Sequence, residues 1–116
     1  MAGLSYVETA VRVCAPFVGE SLTESELRGI LTSAYASFSH AAVAPLVQLD
    51  DRHWLLELFH GPTLAFKDVA MQLISRLMDH VLAKRNQRTT IVVATSGDTG
   101  GAAVDAFAGL DNVDLV

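Results

Sequence analysis

Cysteine occurs once in the chain, at Cys14, which excludes an intramolecular disulfide and any cysteine-based zinc site. Cys14 falls in an apolar helical stretch and reads as a small buried hydrophobe rather than a nucleophile. Charge is also sparse. Only 18% of residues are charged against 51% hydrophobic, a balance that excludes disorder and calls for a folded body. The net charge is −5, and the eight basic residues form no stripe. Their one cluster, Lys84-Arg85-Asn86-Gln87-Arg88, falls where a helix is expected to end and so matches its dipole, which disfavours nucleic-acid binding. No apolar run approaches about 18 residues, and the first residues lack a basic segment followed by an apolar one, so neither a transmembrane helix nor a secretory signal is expected. A cytoplasmic protein is the expectation. His40, His53, His60 and His80 are scattered without the spacing of a helical metal pair, and no metal site is expected.

What is present is a sequence of short, well-punctuated elements. Ser5-Tyr6-Val7-Glu8 has capping-box spacing and opens a helix to about Gly19, with Pro16 expected to kink it or end it early. Thr23-Glu24-Ser25-Glu26 is a second capping box. It is followed at helical spacing by Leu27, Ile30, Leu31, Ala34, Tyr35 and Phe38, a helix expected to end near Ser39. Two apolar runs around Asp50-Asp51-Arg52 predict a β-hairpin. Phe66, Ala70, Leu73, Ile74, Leu77, Met78, Val81 and Leu82 then predict one wide apolar helical face reaching about Lys84. Ile91-Val92-Val93-Ala94 has the continuous apolarity of a strand buried on both sides of a parallel sheet. A helix from about Gly101 to Ala108, Gly109 as its C′ residue and a strand from Val113 complete a right-handed βαβ unit.

The fold class expected is therefore α/β, with an N-terminal helical segment over residues 1–45 and the start of a ligand-binding α/β region over 46–116. Two parallel strands cannot cover their faces or satisfy their edges alone, so the chain is expected to be a piece of a larger α/β protein.

Two loops carry the candidate chemistry. Ser96-Gly97-Asp98-Thr99-Gly100-Gly101 lies where a strand should deliver it to the carboxyl edge of the sheet, the ligand-binding edge of open α/β folds. Glycines allow close backbone approach, and the following helix N-terminus attracts a carboxylate or phosphate. Asp98 has the wrong sign for an anion site and would have to face a donor instead. A tight strand-to-helix turn with Asp98 or Thr99 as N-cap is the alternative. The spacing matches neither a nucleophile elbow nor a P-loop nor a dinucleotide fingerprint. The second loop places Lys67 among Ala65, Phe66, Val69 and Ala70 at a helix start. There it is either a desolvated amine, with Asp68 either its partner or equally a first-turn helix residue, or a surface lysine that snorkels. His60, beside Gly61-Pro62, reads as a loop-bracing hydrogen bonder rather than a catalyst.

Taken together, Leu58-Phe59-His60-Gly61-Pro62-Thr63-Leu64-Ala65-Phe66-Lys67-Asp68 and Ala94-Thr95-Ser96-Gly97-Asp98-Thr99-Gly100 resemble the threonine synthase family, of the fold-type II enzymes dependent on pyridoxal phosphate. The resemblance runs from about Val11 to the end of the chain. It implies that Lys67 links covalently to pyridoxal 5′-phosphate and then moves the α and β protons of the substrate. It implies that Asp98 faces the cofactor's 3-oxygen, and that Ser96, Gly97, Thr99 and Gly100 receive the substrate α-carboxylate. The implied reaction converts O-phospho-L-homoserine and water to L-threonine and phosphate. In that family the groups holding the cofactor phosphate and the substrate phosphate lie mainly later in the chain, so these 116 residues alone are expected to be inactive. Other fold-type II chemistry, such as dehydration or β-replacement, and a non-catalytic threonine-synthase-like binding protein are the competing expectations.

Overall fold

A computed structural model describes residues 3–95 and 97–116. The order of elements is helix α1 (Tyr6–Val18), a 3-10 turn (Gly19–Ser21), helix α2 (Glu24–Tyr35), strands β1 (Leu46–Gln48) and β2 (Trp54–Leu56), helix α3 (Asp68–Arg85), strand β3 (Thr89–Ile91), helix α4 (Asp98–Phe107) and strand β4 (Val113–Leu115).

Both capping boxes form. In α1 the Ser5 amide donates to Glu8 Oε2 at 2.8 Å, and the Glu8 amide donates to Ser5 Oγ at 3.2 Å. Thr23 and Glu26 repeat the arrangement at 2.7 and 3.2 Å. Pro16 does not end α1, which continues to Val18. The ring removes only one helical hydrogen bond, on an exposed face close to the C-terminus, where solvent serves the freed carbonyl. Helix α2 stops at Tyr35, short of Ser39. Phe38 keeps the apolar spacing but does so from a turn, with its ring edge-on to Tyr35 at 5.5 Å.

The first core joins α1 to α2 through Val11, Leu22, Leu27, Ile30 and Leu31, with Cys14, Leu73 and Leu77 packed against it. Cys14 is thus part of an apolar layer. The second core, Ala103, Ala106, Phe107 and Val113, takes Met71, Met78 and Leu82 from α3 and Ile91, Val93 and Leu115 from the strands. Helix α3 therefore lies between two cores. Its expected apolar face is covered only along its edges, by Leu73 and Leu77 on one side and Met78 and Leu82 on the other, while Ala70 and Ile74 in the middle are exposed. The fully buried stripe of α3 is instead polar: Asp68, Gln72 and Ser75. Gln72 Nε2 donates to Asp105 Oδ2 of α4 at 2.6 Å, and Arg76 returns to Gln72 Oε1 at 2.6 Å and to Ser33 Oγ of α2 at 3.0 Å. A stripe flanked by helices on both sides buries polar groups safely only when they are paired in this way.

Strands β1 and β2 pair antiparallel, Leu46 opposite Leu56 and Gln48 opposite Trp54. Asp50 Oδ1 shapes the connection by accepting the Arg52 and His53 amides at 2.9 and 2.8 Å. Every residue of both strands is exposed. Strands β3 and β4 pair parallel, Thr89 opposite Val113, with α4 as the crossover, as expected. The pairing continues to Val93, whose amide donates to the Val116 carbonyl at 2.8 Å. The expectation of burial on both faces fails at Val92, which is 77% exposed. Ile91 and Val93 face the second core, and alternation turns Val92 to the uncovered side. Helix α4 begins at Asp98, three residues before the expected start, and Gly109 follows it with φ 74°, the left-handed conformation expected of a C′ glycine.

Glu26 ties α2 to α3 and gives this contact a pH dependence. Its carboxylate accepts from Lys84 Nζ at 2.7 Å, from the Thr23 amide at 2.7 Å and from Thr23 Oγ1 at 2.9 Å. The Lys84 contact first, and then the Thr23 donors, hold the Glu26 carboxyl down at about 2 against an ordinary 4.5. The folded value is the lower one, so the stabilisation is complete above the unfolded value and is lost as pH falls toward 2. Glu26→Gln is expected to lower the urea midpoint near neutral pH. The gap from wild type should close between about pH 4.5 and 2; a gap that stays constant over that window contradicts the assignment.

Candidate active site

Chain connectivity sets where the two candidate loops lie. Helix α3 passes into β3 through Asn86, Gln87 and Arg88, and α4 passes into β4 through residues 108–112. Such short connections return each helix antiparallel to the strand that follows it. Because β3 and β4 are parallel, α3 and α4 both begin at the carboxyl end of the strands. The basic cluster lies at the other end of α3, where Lys84 and Arg85 occupy the last turn as a dipole-matching role would have it, while Arg88 lies beyond the helix and binds Asp114 of β4 at 3.0 Å.

Lys67 occupies the N-cap position of α3 and is half-buried. Its Nζ lies over the Phe66 ring, 4.4 Å from the centroid. Among the described residues no carboxylate pairs with it. The chain has only one other lysine, Lys84, and that one is held by Glu26 at the far end of the same helix. Asp68 is not the partner of Lys67. It is completely buried in the first turn of α3 and accepts the Thr63 amide at 2.8 Å and Thr63 Oγ1 at 2.6 Å. Gly61 lies directly against it, with a Cβ at Gly61 overlapping the Asp68 side chain. Between these contacts Leu64 adopts φ 63°, a left-handed conformation that costs a leucine about 1–2 kcal/mol.

His60 acts as the expected loop brace. Its Nε2 lies 2.7 Å from Glu57 Oε2, its Nδ1 lies 3.1 Å from Ser39 Oγ, and its carbonyl accepts the Ser39 amide at 2.9 Å. From α2, Tyr35 donates its hydroxyl to the Val69 carbonyl at 3.2 Å, and burial pushes its phenol up from the ordinary value. The loop that presents Lys67 is thus held at its start, its middle and its exit.

The second loop is less enclosed. Ser96 lies outside the described residues. Gly97 is the N-cap of α4, in place of Asp98 or Thr99, and its carbonyl accepts the Gly100 and Gly101 amides at 3.0 and 3.3 Å. Asp98 stands exposed in the first turn, while Thr99 and Gly100 are half-buried. A Cβ at Gly100 would overlap the Thr95 methyl, so the start of α4 approaches the end of the strand as only glycine permits, whereas Gly97 and Gly101 have open space around them. First-turn amides without helical partners, together with the Thr99 hydroxyl, provide donors for an anion. Among the described residues no group of histidine, cysteine, aspartate and glutamate could hold a metal ion, and no helix is long and apolar enough to cross a membrane.

The Asp68–Thr63 clamp and its dependence on Gly61 were not legible in the sequence, because aspartate after lysine suggested either an ion pair or a helix dipole contact. The one available signal was a glycine and a hydroxyl residue, Gly61 and Thr63, in the turn that precedes a first-turn carboxylate.

A half-buried amine at one helix start and a glycine-bearing turn at the next, both at the carboxyl end of parallel strands, place the candidate residues at the edge where open α/β folds bind ligands. No protein-family model matches the chain. Against individual proteins, it is 57% identical over 113 residues to threonine synthase of Pseudomonas aeruginosa and 35% identical over 113 residues to threonine synthase-like 2 of Xenopus laevis, each alignment covering 97% of the chain and 24% of the relative. The crystal structure of pyridoxal-phosphate-bound threonine synthase from Brucella melitensis superposes with a TM-score of 0.94 at 58% identity, over 97% of this chain and 24% of that one. The chain is homologous to a segment of the threonine synthases, and it spans about a quarter of the length of the curated relatives it matches.

Proposed function

We propose that the protein is a threonine synthase, a pyridoxal-phosphate-dependent lyase that converts O-phospho-L-homoserine and water to L-threonine and phosphate in the cytoplasm. The observation that carries this reading is the position of Lys67. It is the one lysine without a carboxylate partner among the described residues, half-buried at a helix start on the same edge of the sheet as the start of α4, in a chain 58% identical over that region to a threonine synthase with pyridoxal phosphate bound. The residues fit the cofactor: an amine free to bond covalently, donors at a helix N-terminus, and a glycine that leaves room for close approach.

In this reading residues 1–45 are a supporting helical segment and residues 46–116 open the cofactor-binding region. Lys67 Nζ would hold the cofactor and would carry protons at the α and β carbons of the substrate. Pyridoxal phosphate supplies the electron sink that makes those protons removable. Ser96, Gly97, Thr99 and Gly100 receive the substrate α-carboxylate, which the dipole of α4 favours. Asp98 would face the cofactor's 3-oxygen, a proton-bearing partner suited to its sign. Being exposed, it stands free to turn to that oxygen.

Product analysis with the full-length protein tests the reading. O-phospho-L-homoserine should yield threonine and phosphate in equal amounts, whereas L-threonine and O-acetyl-L-serine should yield little. Ammonia and an oxo acid from threonine, with no phosphate release from phosphohomoserine, would identify a dehydratase instead. The chain is also 35% identical to threonine synthase-like 2 of Xenopus laevis, and a second reading is a threonine-synthase-like binding protein without catalysis; binding of phosphohomoserine with no product of any kind would select it. The 116 residues alone are expected to give no turnover.

A further inference from the structure

Asp68 follows Lys67 in sequence, yet both of its oxygens are committed elsewhere. We propose that Asp68 is the positioning residue for Lys67, acting through Thr63 to lock the loop that presents the amine. The inference rests on the reading of Lys67 as the cofactor lysine.

The two hydrogen bonds from Thr63 to Asp68, at 2.8 and 2.6 Å, close residues 63–68 into a ring. Within it Leu64 is held at φ 63°, the Leu64 amide donates to the Gly61 carbonyl at 3.2 Å, and the Asp68 amide donates to the Ala65 carbonyl at 3.0 Å. Lys67 lies inside this ring, and its carbonyl accepts the Met71 amide at 2.9 Å as α3 begins. Its Cα is therefore tied on one side to the helix and on the other to a bent loop that unclamping would release. Asp68 is 0% exposed, and in so dry a setting a carboxylate with two donors is held more firmly than on a surface. A merely helix-favouring aspartate would face solvent at the N-terminus; this one turns inward to Thr63.

The chemistry separates the possible variants. Asp68→Asn keeps size but turns an amide donor toward one of the two Thr63 donors. Thr63→Val keeps the Thr63 amide and loses the hydroxyl, and Thr63→Ser keeps both. In the full-length protein loaded with pyridoxal phosphate, D68N is expected to lower kcat about 10²-fold with KM for O-phospho-L-homoserine little changed, as a displacement near 1 Å does. It should also shift the visible absorbance of the bound cofactor. T63V should move both readouts in the same direction and T63S should restore them, with circular dichroism unchanged in the Thr63 pair. If D68N fails to fold, the Thr63 pair decides alone. Wild-type kcat and absorbance in T63V, or a T63S variant as impaired as T63V, overturns the proposal. A wild-type protein that carries no cofactor on Lys67 overturns the functional reading instead, so the two failures are distinct.

Discussion

Lys67→Ala is expected to remove covalently held cofactor from the full-length protein and to lower turnover by about 10³-fold or more, since the variant loses both a nucleophile and a proton carrier. Lys67→Arg should lose as much. A guanidinium keeps the positive charge but neither deprotonates nor bonds as an amine does. Lys84→Ala is the control, because Lys84 is engaged with Glu26 at the opposite end of α3 and should affect stability alone. Phosphate release and the visible absorbance of the bound cofactor check all three variants. Activity retained in Lys67→Arg would mean that charge, and not nucleophilic chemistry, is what the site needs.

Gly61→Ala is expected to destabilise the protein by about 1–3 kcal/mol, an overpacking cost at the upper end of that range if the loop cannot move. The added methyl would overlap Asp68, whose Cβ is fixed to the first turn of α3 and cannot rotate away. Relief requires the loop to lift, which stretches the Thr63–Asp68 bonds and displaces Lys67, so activity should fall along with stability. Gly97→Ala and Gly101→Ala have open space at the Cβ position and should cost far less. A denaturant series on the three variants checks the ordering. Equal costs at all three positions would contradict the close packing assigned to Gly61.

Local signals in the sequence carried much of the fold. The capping boxes at Ser5 and Thr23 form as their spacing requires, because both partners lie within four residues and no distant contact competes. The hairpin and the parallel β3–α4–β4 unit were legible from the order of apolar runs and the polar or glycine-containing turns between them. Features that depend on distant neighbours were not. The apolar face of α3 was read from its periodicity, yet what surrounds the helix decides which side is buried, and the buried side holds Asp68, Gln72 and Ser75. Val92 was expected inside because a parallel strand usually has two covered faces, whereas these residues supply cover on one. At the candidate site the residue types and their order were visible, and so was the bracing role of His60. The direction of Asp68 was hidden, because it depends on a fold-back of the Gly61-Pro62-Thr63 turn that no periodicity encodes.

The central claim, that Lys67 is the lysine that holds pyridoxal phosphate, is tested most directly by borohydride reduction of the full-length protein in the presence of the cofactor, followed by peptide mass mapping. A single reduced cofactor adduct is expected on the peptide containing Lys67 and none on the peptide containing Lys84. An adduct on another lysine, or no adduct at all under conditions where the protein is folded, would contradict it.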